Sequence, residues 1–135
     1  MLTFQNEVNK SLDIIKILKY KHKLSDRFLS FAVAVIKMTR ILPKNPEFKI
    51  IRYQLIKSST SSGANYKEAQ SASSLSDFRH KINISLKEIS ETTYWLEILL
   101  LILDANQIDT ELIRLKTESR QLERILGSIF QKTKK

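Results

Sequence analysis

Apolar residues recur along the chain at steps of three and four, the spacing that places them on one face of an α-helix. Phe28, Phe31, Ala32, Val35, Met38 and Leu42 form the first strong stripe, and Ser25 before it is the expected N-cap with Asp26 in the first turn. Pro43-Lys44-Asn45-Pro46 ends that helix, after which Asn45 is placed to cap a second one with Pro46 at its first position. The second stripe begins with large residues and turns small: Ile51, Leu55, Ser58, Ser62, Asn65, Ala69. Its middle, Ser58-Ser59-Thr60-Ser61-Ser62-Gly63-Ala64, has the composition of a loop. The periodicity continues straight through it, so the segment is predicted to be helical, with a neighbouring helix crossing close by. Ser74 is the expected cap of a third helix, with Asp77 in the capping-box position. Its stripe is Phe78, Ile82, Ser85, Ile89, Thr92, Leu96, Leu99 and Leu103, widened by Trp95, Ile98 and Ile102. Asp104-Ala105-Asn106-Gln107 is a short connection in which Asn106 is suited to a left-handed C-terminal position. The fourth stripe is Ile108, Leu112, Leu115, Ser119, Leu122, Leu126 and Ile129.

Helices are therefore expected at about 25–42, 46–70, 75–104 and 109–131, joined by short connections. That arrangement predicts an all-α, antiparallel, up-down-up-down four-helix bundle over residues 25–135. Residues 1–24 read as a short N-terminal extension. Val8, Leu12, Ile15 and Leu18 repeat at helical spacing, so residues 6–19 are a candidate short amphipathic helix, marginal unless docked. The run Lys19-Tyr20-Lys21-His22-Lys23 reads as a solvated linker.

A chain of 135 residues is one domain by length, and its two Gly and two Pro are too few for an all-β fold. With no cysteine it has neither disulfides nor thiolate metal ligands, which suits the cytoplasm. No purely apolar run is longer than that from Ile98 to Leu103, which is too short to cross a bilayer. Asn6, Glu7, Asn9 and Lys10 break up any signal-peptide core. A cytoplasmic protein without a membrane partner is the expectation.

The net charge of +9 creates a long-range attraction to polyanions, nucleic acid first. Lys116, Arg120 and Arg124 repeat every four residues on the fourth helix, but Glu111, Glu118 and Glu123 are interleaved. Ion pairing on a solvated face accounts for much of that row. Lys10, Lys16, Lys19, Lys21 and Lys23, with Lys132, Lys134 and Lys135 at the other terminus, have fewer acids nearby. They are the better candidates for polyanion contact.

Two runs carry a resemblance to a known family. Gln54-Leu55-Ile56-Lys57-Ser58 with Ser62-Gly63-Ala64-Asn65-Tyr66-Lys67-Glu68-Ala69 is the first. Asp77-Phe78-Arg79-His80-Lys81 with Leu86 to Glu97, LKEISETTYWLE, is the second. Both resemble the signature of a bacterial four-helix-bundle family known from proteins encoded within intervening sequences of large-subunit ribosomal RNA genes. The accessory proteins of diversity-generating retroelements are similar to the same group. The resemblance covers about Leu24 to Lys132. It implies a homopentamer with basic walls, association with RNA or DNA, and a reverse transcriptase as partner for members of the retroelement type. The family-motif and packing positions are Ser58, Ser62, Gly63, Asn65, Glu68, Glu88, Glu91 and Trp95.

Enzyme chemistry is not expected. Glu88 and Glu91 at i, i+3, with Glu68 on the preceding helix, have the look of a di-iron bundle. Such sites use Glu-x-x-His pairs, and neither His22 nor His80 follows a Glu at that spacing. Hydrogen bonds from Ser62, Asn65 or Tyr94, or pairing with a Lys or Arg, are the expected fate of Glu88 and Glu91. No nucleophile elbow is present, and SSTSSGA lacks the GK[ST] ending of a phosphate loop. No metal, cofactor or catalytic residue is assigned. Trp95 and Tyr94 are expected in the core or at a subunit contact. Apolar residues beyond one stripe predict self-association: Leu29, Val33, Ile36 and Ile41, then Leu86, Ile98 and Ile102, then Ile113 and Ile125. Two function classes follow: an oligomeric nucleic-acid-associated protein, or a structural or adaptor assembly that binds a protein partner.

Overall fold

Four helices, named α1 to α4 in chain order, make up a computed structural model that describes residues 23–134. They are α1 over residues 23–39, α2 Pro46–Ala69, α3 Leu75–Ile102 and α4 Thr110–Lys132, with a 3-10 turn Ala105–Gln107 before α4. No strand occurs among the described residues. The candidate helix over residues 6–19 and the linker after it, apart from Lys23, lie outside them.

The starts and stops follow local chemistry, with four differences from the sequence reading. Ser25 does not cap α1: the helix already includes Lys23 and Leu24, and Leu24 is buried in the core. The stripe thus extends one turn back from Phe28 to Leu24, past Ser25, and burial of Leu24 outweighs the capping preference. At the other end α1 stops at residue 39, and three tight backbone bonds, the last from Leu42 N to the Thr39 carbonyl, turn Leu42 into the core. Asn45 stands at the start of α2 without a side-chain capping bond; Pro46 supplies the start instead. Asn106 is not left-handed, since no described non-glycine residue has a positive φ. It lies in the 3-10 turn, where the Gln107 side chain accepts from Asp104 N at 2.9 Å. Ser74 caps α3 as expected, accepting from Asp77 N at 3.0 Å, and Asp109 caps α4 through Leu112 N at 3.0 Å.

The hydroxyl-rich segment is helical throughout. Its polar side chains satisfy themselves on the preceding turn: Thr60 donates to the Ile56 carbonyl (2.6 Å), Ser62 to Ser59 (2.9 Å) and Asn65 to Ser61 (2.9 Å). Back-bonded in this way, they no longer compete with the helix for their own backbone groups. Asn65 is half-buried, and Tyr66 takes the buried place beside it.

The helices close into an antiparallel ring. α1 meets α2 through Phe28, whose ring stacks on Tyr66 at 5.2 Å, and through Arg52, which donates to the Thr39 carbonyl. α2 meets α3 where Ser85 donates to the Ser62 carbonyl (2.6 Å) and Thr92 reaches Ser58 Oγ (2.8 Å). The hydroxyls of Thr93 and Ser119 join α3 to α4 at 2.6 Å. Arg27 donates to Glu118 and Gln121, tying α4 back to α1. Around this polar layer lie fully buried aliphatics from every helix, including Val35, Leu55, Ile89 and Leu122. Buried hydroxyls that all find partners cost little and fix one register, because a slipped helix would leave them unpaired.

Candidate nucleic-acid interface

The row Lys116, Arg120, Arg124 does not act as one surface. Lys116 is half-buried, and Arg120 reaches across to Glu97 on α3 at 2.7 Å. Arg124 is exposed. Of the interleaved acids, Glu111 pairs with Arg114 (2.6 Å) and Glu118 with Arg27, neither with the row itself. The expected pairing of the row with its interleaved acids is therefore not seen: Arg120 finds its acid on another helix, and Glu111 and Glu118 find cations off the row.

Arg124 instead belongs to a second grouping. Together with Ile125, Ser128, Ile129 and Lys132 it lines an open groove along the C-terminal half of α4. Beside it, Lys23 and Leu24 of α1, with Arg27, close on the same Ile125. Lys23, Arg124 and Lys132, drawn from opposite ends of the chain, thus border one strip centred on Ile125. No acidic side chain lines either groove. Lys134 is exposed just beyond, and Lys10, Lys16, Lys19, Lys21 and Lys135 lie outside the described residues. The antiparallel packing of α1 on α4 creates this strip, and the sequence offers no pairing signal for it beyond the two basic termini.

At the same end of the bundle, the guanidinium of Arg79 lies over the Phe130 ring, 4.3 Å from its centroid. Its Nε is buried without a hydrogen-bond partner, so the aromatic face is its compensation. Arg79 stands within the second family-like run, but only the fold brings Phe130 to it.

The three candidate carboxylates have different surroundings. Glu68 pairs with Lys81 at 2.9 Å, and the same contact pushes the Lys81 ammonium above its ordinary value. Glu91 accepts from Trp95 Nε1 at 3.2 Å, a partner the sequence reading did not name. Burial, and then the adjacent Glu91, push the Glu88 carboxyl up against the pull of Lys57. Trp95 is half-buried and packed on the core, whereas Tyr94 is 58% exposed and meets the Trp95 ring edge-on. Gly63 stands at the expected close crossing: a Cβ there would come within 3.2 Å of Phe28 Cβ.

An antiparallel helical bundle with a hydroxyl-bonded core and a basic strip at one end defines the class: a small all-α bundle protein. The model of the 23S rRNA-intervening sequence protein family matches residues 20–128, and the chain belongs to that family. A crystal structure of a protein of unknown function from the S23 ribosomal protein family of Bacteroides thetaiotaomicron is similar to it. The two are 34% identical, with a TM-score of 0.68, over 79% of this chain and 97% of that one. Comparison with curated proteins gives no match.

Proposed function

We propose that this protein is a non-enzymatic, self-associating bundle that binds RNA through positive charge, in the cytoplasm. The observation that carries this reading is the strip of Lys23, Arg124 and Lys132 around Ile125, which is free of lining acids. Cations in one strip follow a phosphate backbone and release its counterions, and such binding is indifferent to base sequence. Membership of a family named for ribosomal RNA intervening sequences favours RNA over other polyanions. Among the described residues no helix is long and apolar enough to cross a membrane.

Self-association is supported by apolar side chains left in solvent. Leu101 is 84% exposed, with Ile102 and Ile113 also exposed at the same end of the bundle. Leu86, Ile98 and Ile125, which the sequence reading placed in the same excess, pack on the bundle's own core. A ring of copies would bury the rest and concentrate positive charge about one axis. The number five, and a reverse transcriptase as partner, rest on the family resemblance.

Binding of a single-stranded RNA followed across salt concentrations tests the proposal. Affinity should fall steeply, with a log-log slope of about −0.7 per phosphate neutralised. Charge reversal at Lys132 and Arg124 should flatten that slope. No binding at low salt would leave a protein-binding scaffold as the function.

A further inference from the structure

We propose that the α1–α2 hairpin carries a second site for single-stranded RNA, at the end of the bundle away from the Lys23–Arg124–Lys132 strip, with Tyr53 as the platform on which a base stacks. Residues 37–57 hold Lys37, Arg40, Lys44, Lys49, Arg52 and Lys57 against a single acid, Glu47. All of these cations but the half-buried Arg52 are exposed, and none enters an ion pair among the described residues. Across the α2–α3 seam Lys57 also feels Glu88.

Helical spacing sets an aromatic ring in the middle of the cations. Lys49, Tyr53 and Lys57 follow one another at i, i+4 and i+8, so each lysine stands about 6 Å along α2 from Tyr53. Tyr53 is 63% exposed and Ile50, one turn earlier, is 60% exposed, an apolar face that the bundle itself does not use. On the flank toward α1, Arg52 Nε donates to the Thr39 carbonyl at 3.0 Å, which holds its guanidinium at the end of α1, one residue from Arg40. Cations alone suit any phosphate backbone, whereas cations around an exposed aromatic suit a strand whose base faces are free. A duplex hides those faces and gains nothing from Tyr53.

This surface is distinct from the strip. Residues 28–36 and 58–66 contain no charged side chain, and the contact of Gly63 with Phe28 sets the two stretches side by side as an uncharged belt. From Lys23 at one end of α1 to residue 39 at the other is about 25 Å. Two separated sites let one copy hold two segments of RNA.

The second site presupposes the RNA binding proposed above, so the strip is disabled first, by Arg124→Glu/Lys132→Glu. Fluorescein-labelled oligo(U) and an RNA duplex of the same length are then titrated at low salt by anisotropy. The strip-reversed protein should still bind oligo(U). Adding Tyr53→Ala should weaken that binding about tenfold and change duplex binding less than about twofold. Adding Lys49→Glu instead should weaken both. Tyr53 and Lys49 are exposed, so neither change threatens the fold. If the parent binds oligo(U) and the strip-reversed protein does not, the second site is overturned and the RNA reading stands. A parent that binds no RNA overturns both. Equal effects of Tyr53→Ala on the two probes would remove the stacking platform and overturn the proposal. Polyglutamate that displaces labelled oligo(U) as well as unlabelled oligo(U) does would also overturn it, by assigning the surface to an acidic protein partner.

Discussion

Thr93 on α3 and Ser119 on α4 place their hydroxyl oxygens 2.6 Å apart in the fully packed centre of the bundle. Each also lies near the Ile89 carbonyl, Thr93 at 3.1 Å and Ser119 at 3.4 Å, so both oxygens have a partner within reach. Thr93→Val keeps the shape and removes the hydroxyl. It should cost about 1 kcal/mol in urea unfolding. In the double variant with Ser119→Ala the losses should not add, because one bond is counted twice. Additive losses would show that the two hydroxyls are energetically independent.

The two glycines should respond in opposite ways. Gly127 has nothing within 4 Å of a built Cβ, so Gly127→Ala should gain up to about 1 kcal/mol of helix propensity. At Gly63 the same gain meets Phe28 Cβ at 3.2 Å, and Gly63→Ala should fall short of Gly127→Ala or destabilise. Gly63→Leu should cost about 1–3 kcal/mol by overpacking the crossing. Equal urea midpoints for the two alanine variants would contradict the close contact.

Glu88 should make stability depend on pH in the sense opposite to a salt-bridged carboxylate. Its folded-state value is raised, chiefly by burial. Its favourable contribution is therefore complete below the ordinary Glu value of about 4.3 and is lost as pH rises through the raised one. Glu88→Gln should be more stable than the parent near neutrality, with the difference closing toward pH 4. Glu111 is lowered by the Arg114 hydrogen bond and behaves in reverse, favouring the fold above the ordinary value and losing that as pH falls. Urea titrations at both pH values check this, and a pH-independent difference for Glu88→Gln would contradict it.

The Arg27–Glu118 contact joins the first and last helices, and its side chains are only 32% and 20% exposed. Glu118→Gln should cost more than the same change at Glu111, whose partner Arg114 is on its own helix and more exposed. Added salt should keep the gap or widen it slightly, because the exposed Glu111–Arg114 pair is screened more than the partly buried one. Thermal unfolding of the two variants at low and high salt compares them directly.

The four helices could be read from the chain because amphipathic periodicity is a local property, carried by Phe28 to Leu42, Ile82 to Leu103 and Leu112 to Leu126 within their own segments. It even overruled the loop-like composition of Ser58 to Ala64, since back-bonding to the preceding turn is also local. Ser85, Thr92 and Ser119 were placed on buried stripes for the same reason. Their partners were decided by tertiary structure, because Ser62, Ser58 and Thr93 lie on other helices and no spacing rule reaches across a bundle. The basic residues divided in the same way. Their total was in the composition, but Arg120 was paired with Glu97, and Lys23 set beside Arg124 and Lys132, only by the antiparallel docking of α4 on α3 and α1. Charge and periodicity add along a sequence, whereas pairing depends on which side chains a close-packed core leaves facing one another.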